Sequence, residues 1–210
     1  MKRIIFCLLL LPFFINAQNQ DNTGIAGIRS IKNTSTKNNI DIRLSAIFEY
    51  VYFSDKFMSS LGINAEIYLN SKFSFNYHVS IGSSYKNAFY IHGPLGGGIG
   101  VVLLSSLDNK NPDWINTIGV IALFIPEGIS YHERISKIIT LSPYFNPLGF
   151  EYSKKTFGDE FMPSGEIGIK ADFNITKKIF IIPHIGIKKL YDVRGYGCET
   201  GISVSYFFDN

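Results

Sequence analysis

Ile40-Asp41-Ile42-Arg43-Leu44-Ser45-Ala46-Ile47-Phe48-Glu49-Tyr50-Val51-Tyr52-Phe53 is the stretch on which the fold class turns. Successive side chains of a β-strand point to opposite faces. Read at that period, Ile40, Ile42, Leu44, Ala46, Phe48, Tyr50 and Tyr52 form one apolar face. Asp41, Arg43, Ser45 and Glu49 mark the other, although Ile47, Val51 and Phe53 blur it. About thirteen alternating residues exceed the usual strand of a soluble protein, and they suit a tilted strand that crosses a bilayer.

The same register recurs along the chain. Leu61, Ile63, Ala65, Ile67 and Leu69 alternate with Gly62, Asn64, Glu66, Tyr68 and Asn70. Phe73, Phe75, Tyr77, Val79 and Ile81 alternate with Ser74, Asn76, His78, Ser80 and Gly82, and Ile167, Ile169, Ala171, Phe173 and Ile175 with Glu166, Gly168, Lys170, Asp172 and Asn174. Tight polar turns at 70–73, 135–138 and 175–179 each lead into an apolar strand start. Between them lie longer connections at 54–60, 153–163 and 192–195. Short turns alternating with longer loops describe an up-and-down barrel with periplasmic turns and extracellular loops.

Composition agrees. The 210 residues are 46% hydrophobic, 15% aromatic and 18% charged, too apolar for a disordered chain, and two Cys cannot make a disulfide scaffold. Beyond the N-terminus no apolar run reaches the ~18–20 residues of a membrane-spanning helix. Lys2 and Arg3, the apolar run 4–15 and Asn16-Ala17-Gln18 have the layout of a secretory signal peptide over 1–17, with cleavage expected after Ala17. Its removal leaves 18 basic residues against 17 acidic ones, so nothing points to nucleic acid. It also leaves Cys198 without a disulfide partner. Residues 18–39, rich in Asn, Thr, Ser and Gln, read as a flexible periplasmic segment, and 40–210 as the barrel.

Residues 93–126 resist the alternation. If 95–107 and 114–124 are short apolar helices, the second capped by Asp113, then strands near 40–53, 61–70, 73–91, 126–134, 138–152, 164–175, 178–191 and 196–208 make eight. If both stretches are strands, the barrel has ten. Eight is preferred, because 128–135 is cramped as a separate strand in the larger barrel.

The last strand, Glu199-Thr200-Gly201-Ile202-Ser203-Val204-Ser205-Tyr206-Phe207-Phe208, carries the most specific pattern. Gly201 is followed by an apolar row through Val204, Tyr206 and Phe208. It resembles the C-terminal signal by which outer-membrane barrels are recognised by their assembly machinery, with Asp209 and Asn210 as a departure after the aromatic. The chain is similar in this to small bacterial outer-membrane β-barrel proteins of OmpA/OmpX-like architecture, over about 40–208. The resemblance implies an all-β, transmembrane, antiparallel barrel in the outer membrane, with outer-membrane lipids and the barrel-assembly machinery as partners. Tyr50 and Tyr52 at one end, and Phe73, Phe75 and Phe208 at the other, would form interfacial aromatic belts. An eight-stranded barrel is filled by its own side chains. Arg43, Glu49, Glu66, His78, Glu166, Lys170, Asp172, His184, Lys188 and Glu199 would therefore meet in the lumen, where unpaired charge is costly.

Barrels of this class include lipid deacylases and acyltransferases, so a nucleophile set needs weighing. Ser130 and His132 share a face at spacing two, with Glu127 or Glu151 as a carboxylate, and Ser80 with His78 is a second pair. His132 and Glu133 point to opposite faces and cannot form a dyad unless the strand is bulged. Lumenal Ser is common in such barrels, so a hydrogen-bonded network outweighs catalysis. The four His fall on different segments without ligand spacing, so no metal and no cofactor is expected. The glycines of 93–100 lack the Lys-Ser/Thr of a phosphate loop and fit close backbone packing better. The expected function is a structural or surface-interaction barrel. The alternatives are a lipid-modifying enzyme and a soluble periplasmic ligand-binding barrel.

Overall fold

The computed structural model describes residues 41–53, 56–84, 88–105, 113–153, 160–192 and 194–208, so segments 1–17 and 18–39 lie outside the described residues. Ten strands are arranged as β1 Asp41–Phe53, β2 Lys56–Tyr68, β3 Phe73–Ser84, β4 Ala88–Pro94, β5 Gly128–Tyr131, β6 Glu133–Arg134, β7 Ile139–Ser153, β8 Glu160–Asn174, β9 Ile179–Leu190 and β10 Gly197–Phe208. Two helices, α1 Leu95–Ser105 and α2 Asp113–Leu123, separate β4 from β5. Every pairing is antiparallel. β1 joins β10 from Ile42↔Phe208 to Phe53↔Gly197, which closes the sheet of the described residues into a barrel of eight staves.

The count of eight agrees with the sequence, but its partition does not. Residues 73–91 are not one strand: β3 ends at Ser84, and β4 is a new segment. The fourth stave is composite. β4 fills its loop-side half, pairing with residues 80–84 of β3 and 149–153 of β7. β5 and β6 fill the turn-side half against residues 73–76 of β3 and 140–145 of β7. Two of the three longer connections are also shorter than alternation alone implied, because β2 begins at Lys56 and β8 at Glu160.

Between the two halves of that stave the chain leaves the wall as an antiparallel helix pair. Gly96 lies against the Ala122 carbonyl, and Gly100 against the Gly119 carbonyl and the Leu123 side chain, so a Cβ at either would meet backbone. This Gly-xxx-Gly spacing lets the helix axes approach as in membrane helix pairs. Gly98 sits on Phe150 and Phe161, whose rings stack at 4.8 Å on the outer wall. Phe161 pairs with Tyr152, nearer the loop end than Phe150, so α1 folds back along the outside of the barrel towards its loops.

The three tight turns use one device. Asn70, Ser136 and Thr176 each accept, through the side-chain oxygen, the backbone N–H three residues on, from Phe73 (2.9 Å), Ile139 (3.1 Å) and Ile179 (3.1 Å). Outside, the apolar rows are exposed, with Leu61 at 66% and Ile63 at 64%. Phe73 is the exception, covered by the Tyr131 ring at 5.2 Å. Inside, two apolar layers close the ends. Val51, Phe53, Met58, Tyr90, Met162 and Leu190 pack at the loop side, and Tyr68, Phe180, Ile182 and Phe207 at the turn side. The residues that blur the polar face of β1 are thus inward-facing, Val51 and Phe53 within the loop-side layer.

Candidate functional site

Between the two apolar layers lies a buried ionic core in two parts. On the turn side Arg43 of β1 forks, donating from Nη2 to Glu66 of β2 and from Nη1 to Asp172 of β8, both at 2.5 Å. Lys170 donates to the second oxygen of Glu66 at 2.8 Å. Two cations and two carboxylates balance here, and the planar guanidinium suits a two-carboxylate fork.

The loop side is more acidic. Lys188 of β9 reaches Glu166 at 2.7 Å, Glu151 at 2.9 Å and Glu199 at 3.5 Å, and donates to the Tyr90 hydroxyl at 3.2 Å. His92 of β4 places Nδ1 2.7 Å from Glu151 and Nε2 3.0 Å from Glu127. His184 Nε2 stands 3.5 Å from both Glu49 and Glu199, and His78 Nε2 stands 3.4 Å from the other oxygen of Glu49. Among the described residues this half holds five carboxylates and three imidazoles against one lysine in contact with them. A cavity of about 20 Å³ opens among Glu49, His78, Glu166, His184 and Glu199, room for a water-sized occupant.

The ten lumenal residues named from the sequence all have buried side chains. The Ser/His pairs do not form. Ser130 and Asn76 exchange hydrogen bonds at 2.9 and 3.0 Å. His132 instead meets Ser74 and Ser142, each at 2.9 Å, and tilts over the Tyr68 ring at 4.9 Å. The Ser80 hydroxyl has no hydrogen-bond partner, so His78 is not its base. Glu127 and Glu151 flank His92, not His132. A nucleophile needs its base within hydrogen-bond reach, and neither pair meets that condition. His92 and Tyr90 belong to a strand that alternation did not separate. Glu151 follows an irregularity in β7 between Asn146 and Gly149, which turns odd positions inward where even ones had been. On β10, Val204, Tyr206 and Phe208 face outward, while Gly201 faces in and gives room to His184.

A closed antiparallel barrel with an apolar exterior and buried polar side chains within has the fold of small outer-membrane β-barrels. The N-terminal β-barrel domain of Pseudomonas aeruginosa OprF superposes with a TM-score of 0.50 at 8% identity, over 80% of this chain and 97% of that one. Ail, the attachment invasion locus protein of Yersinia pestis, has a TM-score of 0.46 at 11% identity, over 82% and 100%. Neisserial surface protein A gives 0.45 at 10%, over 81% and 97%. At such identities the likeness to OprF is one of fold alone. No protein-family model matches the chain, and no curated protein is similar to it in sequence.

Proposed function

We propose that the protein is an outer-membrane barrel with a sealed, side-chain-filled lumen, serving a structural or surface-interaction role through its loop end. The observation that carries this reading is the layering: an apolar exterior around an ionic core closed at both ends by apolar side chains. Such an exterior is at home in hydrocarbon, where a closed barrel satisfies every backbone donor and acceptor. Residues 1–17 would direct export, and Gly201, Val204, Tyr206 and Phe208 would present the strand read by the assembly machinery. The helix pair fits the same setting. Eleven residues of α-helix span about 16 Å, half of a ~30 Å hydrocarbon layer, so α1 and α2 would lie in its loop-side leaflet against lipid chains.

The sealed core speaks against lipid chemistry in the lumen. His132, Ser74, Ser130 and Ser142 are buried to within 1%, beyond the reach of an acyl ester. Recovery in the outer-membrane fraction, together with faster gel migration before boiling than after, is the expected result. A soluble periplasmic protein with unaltered migration would refute the reading.

A further inference from the structure

The acidic half of the lumen has a geometry that its protein partners do not use. Glu49 comes from β1, His184 from β9 and Glu199 from β10, and one donor atom of each lies within 4.8 Å of the others. All three line the 20 Å³ cavity. The contacts of His184 Nε2 to the two carboxylates, 3.5 Å each, miss hydrogen-bond geometry, so this nitrogen is buried without a hydrogen-bond partner, and Glu199 Oε2 meets the Lys188 ammonium only at 3.5 Å. A buried polar atom left in that state is costly. Around a tetrahedral cation with ligand distances of about 2.0–2.2 Å, donor atoms stand roughly 3.3–3.6 Å apart. The two separations from His184 Nε2, 3.5 Å each, have that spacing, the third lies within 4.8 Å, and the cavity leaves a position for water.

Two neighbouring groupings fit less well. Glu151 and Glu166 beside His92 are already met by the Lys188 ammonium at 2.9 and 2.7 Å. Of Glu127, His92 and His78, only His78 borders the cavity. The groups facing the favoured trio from elsewhere are Glu166, Lys170, Lys188 and His78, with the Lys188 contact to Glu199 a long one at 3.5 Å. We infer that Glu49, His184 and Glu199 form a divalent-metal site of the Zn²⁺ class inside the barrel wall. One imidazole nitrogen and two carboxylate oxygens suit such a borderline cation, and its two charges offset the two carboxylates. Sequence spacing is blind to this site because its ligands lie on three strands that only barrel closure brings together.

The test uses the protein as recovered from cells, in detergent, with Zn²⁺ titrated against a chromophoric chelator and Co²⁺ as the spectroscopic probe. Cys198 is exposed and adjoins Glu199, so the Cys198→Ser variant is measured in parallel. The expected result is one Zn²⁺ per chain in both forms, with a visible Co²⁺ ligand-field band and no thiolate charge-transfer band. Glu199→Gln and His184→Gln, each folded by the gel-migration criterion, should weaken binding by at least about tenfold. A folded wild-type barrel that takes up no Zn²⁺, even when refolded in its presence, overturns the inference. So does binding that disappears in Cys198→Ser or survives both ligand variants unchanged. Should the ligand variants fail to fold, the Co²⁺ spectrum of Cys198→Ser decides, and loss of its band overturns the site.

Discussion

Arg43 shows how much can rest on one buried side chain. Its guanidinium holds Glu66 and Asp172 from two other strands, and the group is 2% exposed. Removing one partner of a buried ionic cluster strands the rest, at a cost of about 3–5 kcal/mol. Arg43→Met should therefore lower barrel stability by that order in urea titrations in micelles. Adding Asp172→Asn, which leaves Glu66 paired with Lys170, should return much of the loss; a double variant as unstable as the single one would contradict the pairing. A second residue-scale dependence is steric. The Tyr144 hydroxyl lies against Gly168 of β8 and Gly186 of β9, which face each other across the ladder, and a Cβ at either would collide with it. Gly186→Val should cost about 1–3 kcal/mol as an overpacked site, with most of that recovered in the Tyr144→Ala background. The inward set on β1, β2, β8, β9 and β10 was legible because period two runs unbroken there. His92, Glu127 and Glu151 were not. β4 is only seven residues long, Glu127 precedes β5 outside any strand, and the β7 irregularity reverses the parity that would have flagged Glu151.

At the scale of elements, the interrupted fourth stave is the feature that alternation could not resolve. A wall position shared by β4 and β5 needs two short strands, and neither carries enough residues for a clear periodic signal. The apolar, glycine-rich stretch between them was readable as helix or strand, because an element that is apolar all round has no face to reveal its period. Packing decides the matter: the glycines on α1 match the small residues of α2. Gly100→Leu would force the helices apart against the Gly119 carbonyl and Leu123, with an expected local loss of about 1–3 kcal/mol. The wall pairings of β3 with β4 and β5 do not involve the helices. Hydrogen exchange should accordingly rise across α1 and α2 while heat-modifiable migration stays as in the parent. Collapse of the whole barrel in this variant would mean that the helix pair is needed to set the stave itself.

At the scale of the molecule, the barrel is inverted relative to a soluble protein, with charge at its centre and aliphatic rows outside. That inversion makes one substitution report on the solvent around the wall. Ile63 sits midway along β2, 64% exposed, opposite Ala46 of β1 and Val79 of β3. Its neighbours on the outer face are aliphatic as well, so no carboxylate is at hand to receive a cation there. If hydrocarbon surrounds the wall, Ile63→Arg should cost about 2–4 kcal/mol near the bilayer midplane, and Leu69→Arg, beside the β2–β3 turn, about 0–1 kcal/mol. If water surrounds it, both changes should fall within about 0.5 kcal/mol of the parent. Refolding equilibria in lipid vesicles of stated thickness measure the contrast directly. The depth dependence is the discriminating quantity: a steep fall from Ile63 to Leu69 requires a membrane, whereas equal and small effects would place the apolar rows against water and remove the outer-membrane reading.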